Sequence, residues 1–138
     1  VQFHVHLVGS VKGRARLIGA DVQAWLWPAL ATAARRVGSG FVVVGGVADT
    51  VHVVADLPPR VALSEFVRLL KGGSSRLAGE KGVVGFAWQA GYSAMSVSHD
   101  ALPRVVAYVR AQAKHHAAGT AHAAWEPVSQ PVGGEPTS

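Results

Sequence analysis

Histidines in two apolar stretches are the first residues whose type and spacing could do chemistry. His4 and His6 alternate with apolar residues in "FHVHL", and His52 follows Thr50 by two residues in "DTVHVVADLPP". Alternate residues of a β-strand point to the same side, so the members of each pair would share a face. Two imidazoles on one face can be aimed at a single metal ion, although most such pairs in strands are solvated or contact a neighbouring strand.

A helical stretch late in the sequence carries a second pair of interest. Tyr108 and Gln112 are four residues apart in "ALPRVVAYVRAQAKHHAA", which places them on one face of a helix. The valines at 105, 106 and 109 lie on the other side and would face the core. The spacing alone therefore indicates a tyrosine at the edge of the core, with its hydroxyl in water.

The first half of the chain predicts strand, helix and hairpin in that order. Period-two alternation predicts a strand in "VQFHVHLVGSV", and Asp21 is the expected N-cap of a helix over residues 22–37. "FVVVGGV" and "TVHVVADL" are predicted as two strands joined by a short loop around Ala48 and Asp49. "LPPR" should end the second of them.

The second half predicts helix, strand and a further helix. A helix should begin at Ser64 or a neighbouring residue and turn five side chains inward, namely Phe66, Val67, Leu69, Leu70 and Leu77. "FAWQAGYSAMSVS" is strand-like with an interruption at residues 90–91, and Ser98 should cap the last helix. The order predicts an α+β fold, a ferredoxin-like split βαβ antiparallel sheet with an added C-terminal helix that carries Tyr108.

Length and composition limit the kind of protein. The 138 residues suffice for one domain, expected over residues 1–118, with a loose Pro-, Gly- and Ser-rich tail over 119–138. There is no cysteine, so disulfides and thiolate metal sites are excluded. No apolar run is long enough for a membrane helix and no leader is recognised, so a cytoplasmic protein without a membrane partner is expected. The formal charge of +5 is equally compatible with an anionic partner, nucleic acid first, and with a merely soluble basic surface.

The predicted topology brings the histidines together. In a split βαβ sheet the first strand lies beside the third, about 4.8 Å away. His4, His6 and His52 could therefore share one face of the sheet, depending on a register that the sequence does not contain.

Five segments together resemble a known family. "FHVHLVGSVKGR", "DTVHVVADLPP", "LSEFVRLLKGGSSR", "FAWQAGYSAMSVS" and "YVRAQAKHH" are similar, in order and spacing, to the single-tyrosine HUH transposases of the insertion-sequence 200/605 type, including their REP-associated relatives. The resemblance covers nearly the whole chain before the tail. Its most specific parts are the fourth and fifth segments.

The resemblance implies a function and a set of site residues. Family members are small dimers that recognise hairpins in single-stranded DNA, then nick and rejoin the strand through a 5′-phosphotyrosine. By matching motif, Tyr108 would be the nucleophile, while Gln112 and His52 would be ligands of Mg²⁺ or Mn²⁺. A phenol has a pKa near 10 and is a poor nucleophile at neutral pH, which explains why such a reaction uses a cation to polarise the phosphate.

One position departs from the family pattern. Thr50 stands where the resemblance implies the first histidine of the His-apolar-His motif, and a neutral hydroxyl is a much poorer ligand for such an ion than an imidazole. Two interpretations follow. Either the metal site and nicking activity are impaired, or His4 or His6 from the neighbouring strand supplies the missing imidazole.

Basic residues form two candidate DNA contacts. Lys12, Arg14 and Arg16 make a basic loop, and Lys71 and Arg76 flank "GGSS" in the second helix. Lysine and arginine contacts to phosphates are the usual way to hold a single strand. Trp88 is expected to be plain core instead.

Three functions from different classes are the alternatives. The first is a metal-dependent DNA nickase and strand transferase, impaired or intact. The second is a catalytically inactive protein that binds single-stranded or hairpin DNA. The third, a ferredoxin-like regulatory domain with no nucleic-acid role, conflicts with the placement of Tyr108 and Gln112 and with the basic loop.

Overall fold

A computed structural model describes residues 3–112 of the chain. The predicted tail over 119–138 and the domain boundary at 118 lie outside those residues. The elements are, in order, β1 (Phe3–Ser10), a short 3₁₀ turn (Lys12–Arg14), α1 (Ala20–Val37), β2 (Val42–Gly46), β3 (Thr50–Leu57), α2 (Leu63–Glu80), β4 (Ser93–Val97) and α3 (Leu102–Arg110).

The four strands form one antiparallel sheet in the order β2-β3-β1-β4. This is the ferredoxin-like split βαβ arrangement, and it confirms the fold predicted from the sequence. Strands β1 and β3 are its two central strands, and they are joined over their full length from Phe3↔Leu57 to Ser10↔Thr50.

Three details of the helices differ from the prediction. Helix α3 begins at Leu102 with Ala101 as N-cap, so Ser98 lies in the turn before the helix and does not cap it. Helix α1 begins at Ala20 with Gly19 as N-cap, and Asp21 lies in its first turn, where a carboxylate interacts favourably with the helix dipole without capping it. In α2, Leu69 is 38% exposed and does not face the core, because the inward stripe follows Phe66, Leu70 and Ser74 at four-residue spacing.

The sheet has two faces with different partners. The face covered by α1 and α2, called here the two-helix face, is apolar: Val5, Leu7, Val51, Val53 and Ala55 pack on buried residues of both helices. The opposite face, called the α3 face, is covered by α3. It is built from a smaller cluster consisting of Val43, Val54, Val105, Val106, Tyr108 and Val109.

Helix α3 lies directly on the sheet at Gly45. A Cβ atom at Gly45 would overlap the backbone carbonyl of Val109 and come within 3.2 Å of its side chain. The strand position therefore has to be glycine if the helix is to approach this closely. Because Gly45 is opposite His52 on β3, the approach brings α3 down beside that histidine.

Candidate active site

A pair of buried histidines lies at the centre of the α3 face. Residue His6 of β1 faces Val54 of β3, which makes His6 and His52 diagonal neighbours on adjacent strands. His6 Nε2 and His52 Nδ1 are 2.9 Å apart and hydrogen-bonded, with ring centroids at 5.1 Å. The exposed fractions are 2% for His6 and 0% for His52.

His4 is directed elsewhere. It lies two residues before His6 on β1, opposite Asp56 and Val97, and its ring packs edge-on against Phe41 with centroids 5.7 Å apart. Of the two histidines that could substitute for a ligand at position 50, the structure therefore brings His6 to His52.

Burial keeps His6 uncharged. Removal from water lowers its pKa to about 4, so the ring is a neutral imidazole at neutral pH. A neutral imidazole has a lone pair available for a metal ion or a proton.

Tyr108 and Gln112 lie over the same face, but not at its edge. The Tyr108 side chain is 4% exposed and Gln112 is 0% exposed, so the expectation of a hydroxyl in water at the edge of the core is wrong. Tyr108 is buried because α3 approaches the sheet closely at Gly45. At that distance the side of the helix that carries Tyr108 contacts the sheet, as the valines do. The Tyr108 ring meets the His52 ring edge-on, with centroids 5.8 Å apart.

Thr50 is held by its neighbour in the chain. Its hydroxyl donates to Asp49 Oδ1 at 3.0 Å, and the residue is 2% exposed. The other carboxylate oxygen, Asp49 Oδ2, pairs with Arg14 Nε at 3.2 Å. Asp49 therefore connects Thr50 to the basic loop, a connection that was not predicted from the sequence.

The basic loop projects from the end of the sheet where β3 begins. Lys12, Arg14 and Arg16 are all exposed. The backbone of the loop is fixed by hydrogen bonds from Lys12 N to Ala87 O and from Gly13 N to Gln89 Oε1. Three cations are thus presented to solvent on a fixed backbone, and one of them is paired with Asp49.

The two basic residues of α2 have different surroundings. Lys71 Nζ donates to Gln89 O at 2.9 Å and to Gly91 O at 2.7 Å, and partial burial lowers the pKa of this amine. Its ammonium group therefore holds the loop before β4. Arg76 is exposed and borders a groove between α1 and α2 that Arg36 also lines.

Trp88, predicted as plain core, is partly buried and packs at the margin of the core. Its Nε1 donates to the hydroxyl of Ser74 at 2.9 Å, and its ring packs edge-on against Phe86. It also packs against the apolar core of the two-helix face.

Two further observations limit the chemistry. Within residues 3–112, no group of three or more His, Cys, Asp or Glu side chains is arranged to hold a metal ion. A cation near His6 and His52 would therefore need an amide, a hydroxyl or water as its next ligand. None of the helices within residues 3–112 is long and apolar enough to cross a membrane.

The chain matches a family of transposases. The family model described as "Transposase IS200 like" matches residues 1–112, and the chain belongs to that family. A curated relative is the ISDra2 transposase TnpA of Deinococcus radiodurans. It is 27% identical over 118 residues, which cover 80% of this chain and 84% of the relative.

Two solved structures share the fold. One is a crystal structure of a protein from Deinococcus radiodurans described as a transposase, with a TM-score of 0.66, 24% identity, and coverage of 81% of this chain and 92% of that one. The other is a REP-associated tyrosine transposase bound to a REP hairpin, with a TM-score of 0.62, 15% identity, and coverage of 86% and 70%. The family resemblance inferred from the sequence is confirmed.

Proposed function

We propose that this protein nicks and rejoins single-stranded DNA at hairpins through a covalent bond between Tyr108 and a 5′-phosphate. The observation that carries the proposal is the edge-on contact of the Tyr108 and His52 rings at 5.8 Å, in a chain of the IS200-like transposase family. Gln112 lies one helical turn beyond Tyr108 and is buried against the same face.

Relatives and charge support DNA as the partner. A neighbour with this fold was solved bound to a REP hairpin, and the chain carries a formal charge of +5. The exposed cations of the basic loop stand beside Thr50, at one end of the α3 face. A strand laid across that loop would pass close to the histidine pair.

The reaction exchanges one phosphate ester for another. A bond forms between the Tyr108 hydroxyl oxygen and phosphorus, the bond from phosphorus to the 3′-oxygen breaks, and in net balance the phenolic proton ends on the released 3′-hydroxyl. The ester energy is retained in the phosphotyrosine, so the reverse reaction rejoins DNA without a nucleotide cofactor. The protein's part is to hold the phenol and the phosphate in line.

The residues present fit a divalent cation, with His6 in the place of the replaced histidine. Two imidazole nitrogens bound to one ion at about 2.1 Å each lie roughly 3–3.5 Å apart, close to the 2.9 Å between His6 Nε2 and His52 Nδ1. Thr50 does not fit, because its hydroxyl is directed to Asp49. We therefore propose His6, His52 and Gln112 as the ligands of Mg²⁺ or Mn²⁺.

Such a cation would polarise the phosphate and neutralise charge that develops on it. The hydrogen bond between the two imidazoles means that one of the facing nitrogens carries a proton. That ring has to move its proton to its other nitrogen before both lone pairs can face one ion. Gln112 can add an amide oxygen.

The helix that carries Tyr108 must move for the reaction to occur. With Tyr108 4% exposed, a phosphate cannot reach its hydroxyl while α3 is seated at Gly45. We propose that DNA binding displaces the end of α3 that carries Tyr108 from this closed position, while the first turn of the helix stays against β4. In the described structure, Tyr108 and His52 of the same chain are in contact.

A second copy of the chain is also part of the proposal. Strands β2 and β4 are the edges of the sheet, so within residues 3–112 each has one unpaired side that can extend the sheet. Light scattering should give twice the mass of a 14.3 kDa chain. A mass of one chain at working concentration would contradict this part.

Trapping of the covalent intermediate tests the nicking activity. The protein is incubated with Mn²⁺ and a library of single-stranded DNA hairpins, and complexes that resist denaturant are identified by mass spectrometry. We expect a nucleotide adduct on Tyr108 that Tyr108→Phe abolishes. The chain has two tyrosines, so Tyr92→Phe is the matched control and should form the adduct normally.

One observation favours a second candidate function, binding of hairpin DNA without cleavage. Thr50 is hydrogen-bonded to Asp49 and stands where the family resemblance implies a metal-binding histidine, while Tyr108 is buried between α3 and the sheet. In that case the same library would be enriched in non-covalent complexes and no adduct would form. If the Thr50→His variant forms the adduct and the natural protein does not, the loss of cleavage is due to Thr50.

A further inference from the structure

An open pocket lies where the beginning of α3 meets β4. Its volume is about 370 Å³, and its polar side chains include His6, Ser98 and Arg104. Met95, Val97 and Val105 supply apolar walls, and no carboxylate is among its described lining residues. The pocket is next to the proposed active site because His6 contacts His52.

Arg104 gives this pocket a positive charge. The side chain is exposed, and within residues 3–112 no ion pair or hydrogen bond involves it. It precedes Tyr108 by four residues, as Tyr108 precedes Gln112, so the three form one stripe along the helix. A guanidinium group binds a phosphate through two parallel N–H donors, which makes arginine well suited to this position.

Ser98 adds a hydroxyl beside that charge. Its Oγ accepts a hydrogen bond from Ala101 N at 3.2 Å. Because the hydroxyl is the acceptor in that bond, its own proton can be donated to an anion. His6 lines the buried side of the pocket.

We infer that this pocket binds a phosphate group of the DNA strand, one next to the phosphate that Tyr108 attacks. The inference rests on the proposed function and adds Arg104 and Ser98 to its binding residues. The basic loop and this pocket lie at opposite ends of the histidine pair: Thr50 is opposite Ser10 at one end of β1, and Val97 is opposite His4 at the other. A strand held at both ends would be drawn across His52 and Tyr108.

The test measures DNA binding alone. Tyr108→Phe protein without metal is titrated with a fluorescent single-stranded thymidine oligonucleotide at several salt concentrations. We expect Arg104→Gln to weaken binding roughly three- to tenfold and to reduce the slope of log K against log salt by about 0.7, the loss of one phosphate contact to a single strand. Arg110→Gln is the matched control, because Arg110 is exposed on the last turn of the same helix and does not line the pocket.

A second measurement, by NMR, tests whether the oligonucleotide binds at this pocket. The ring resonances of His6 should shift when the oligonucleotide binds, and the shift should be much smaller in Arg104→Gln. Inorganic phosphate at the same concentration should leave them unchanged. An equal shift with phosphate would make this a site for the free ion, which would overturn the proposal.

Failure of this inference is separable from failure of the proposed function. If Arg104→Gln binds like its parent while neutralising Lys12, Arg14 and Arg16 together weakens binding, DNA binding stands and the pocket is refuted. Absence of a Tyr108 adduct bears on cleavage alone, because the binding test uses Tyr108→Phe protein without metal. Arg104→Lys should retain most of the salt slope, since it keeps the charge.

Discussion

The two faces of the single sheet are built on different principles. On the two-helix face, buried valine, leucine and phenylalanine side chains fill the space between strands and helices. On the α3 face, His6, Thr50, His52, Tyr108 and Gln112 are buried although each carries a polar group. Burying polar groups stabilises little and costs free energy unless they are paired, so the apolar face has to supply most of the stability that the polar face needs.

The largest stability effect is expected on the two-helix face. Leu26 is fully buried between α1 and the sheet, so Leu26→Ala leaves a cavity and should lower the free energy of unfolding by about 2–5 kcal/mol. Urea denaturation monitored by tryptophan fluorescence measures the change. Leu69→Ala in α2 is the control, because Leu69 is 38% exposed and its truncation should cost much less. Equal losses would mean that this face is not the stabilising one.

The α3 face should instead respond to acid. The pKa of His6 is lowered to about 4 from 6.5, so the unfolded chain takes up its proton first as the pH falls. The free energy of unfolding is therefore unaffected by this group above pH 6.5 and decreases as the pH falls toward 4. The total decrease is about 3 kcal/mol for a pKa shift of this size. Denaturation midpoints of the metal-free protein across that window measure it.

Substitution isolates this titration. His6→Asn has no group that ionises in this range, so the variant should lose that part of the pH dependence whatever its stability at pH 7. His99→Asn is the control, because His99 is exposed in the turn before α3. A pH dependence that persisted in His6→Asn would show that His6 is not its source.

A methyl group at Gly45 should separate α3 from the sheet. In Gly45→Ala the new Cβ atom would meet the carbonyl of Val109, and relief requires the helix to shift, at a cost of about 1–3 kcal/mol. Hydrogen exchange followed by mass spectrometry should show faster exchange in residues 102–110 and little change in α1. Gly72→Ala, on an open helix surface, should stabilise the protein slightly. Unchanged exchange over α3 would show that its seat on the sheet tolerates the extra atom.

The sequence predicted which residues lie on each face of the sheet better than it predicted which of them contact each other. Alternation in β1 correctly separated Val5 and Leu7 from His4 and His6, because the side-chain period of a strand is two. The order of elements and the fold were also predicted correctly. The contact of His6 with His52 was left open because strand register depends on the whole sheet.

Three-dimensional proximity accounts for the features that were missed. Tyr108 is buried because of Gly45, a residue 63 positions away, and the glycine pair in "VVVGGV" was the available signal for a close backbone approach. Lys71 binds two carbonyl groups of the loop before β4, and no pattern in α2 reveals the shape of that loop. Arg104 had a signal in its four-residue spacing from Tyr108, but its significance depends on the pocket beside β4.

Metal affinity tests which strand of the α3 face supplies the first imidazole ligand, and its expected effect is the smallest. If His6 replaces the ligand that Thr50 cannot be, the natural protein should bind Mn²⁺ in calorimetry and His6→Ala should weaken binding about tenfold or more, which is roughly 1.4 kcal/mol. The double variant His6→Ala, Thr50→His should recover affinity, because an imidazole is returned to the same face from β3. His4→Ala is the matched control, since His4 packs against Phe41 and should not affect binding. Binding by Thr50→His alone, with none by the natural protein, would instead show that His6 holds His52 only as a hydrogen-bond partner and that the site has lost its ion.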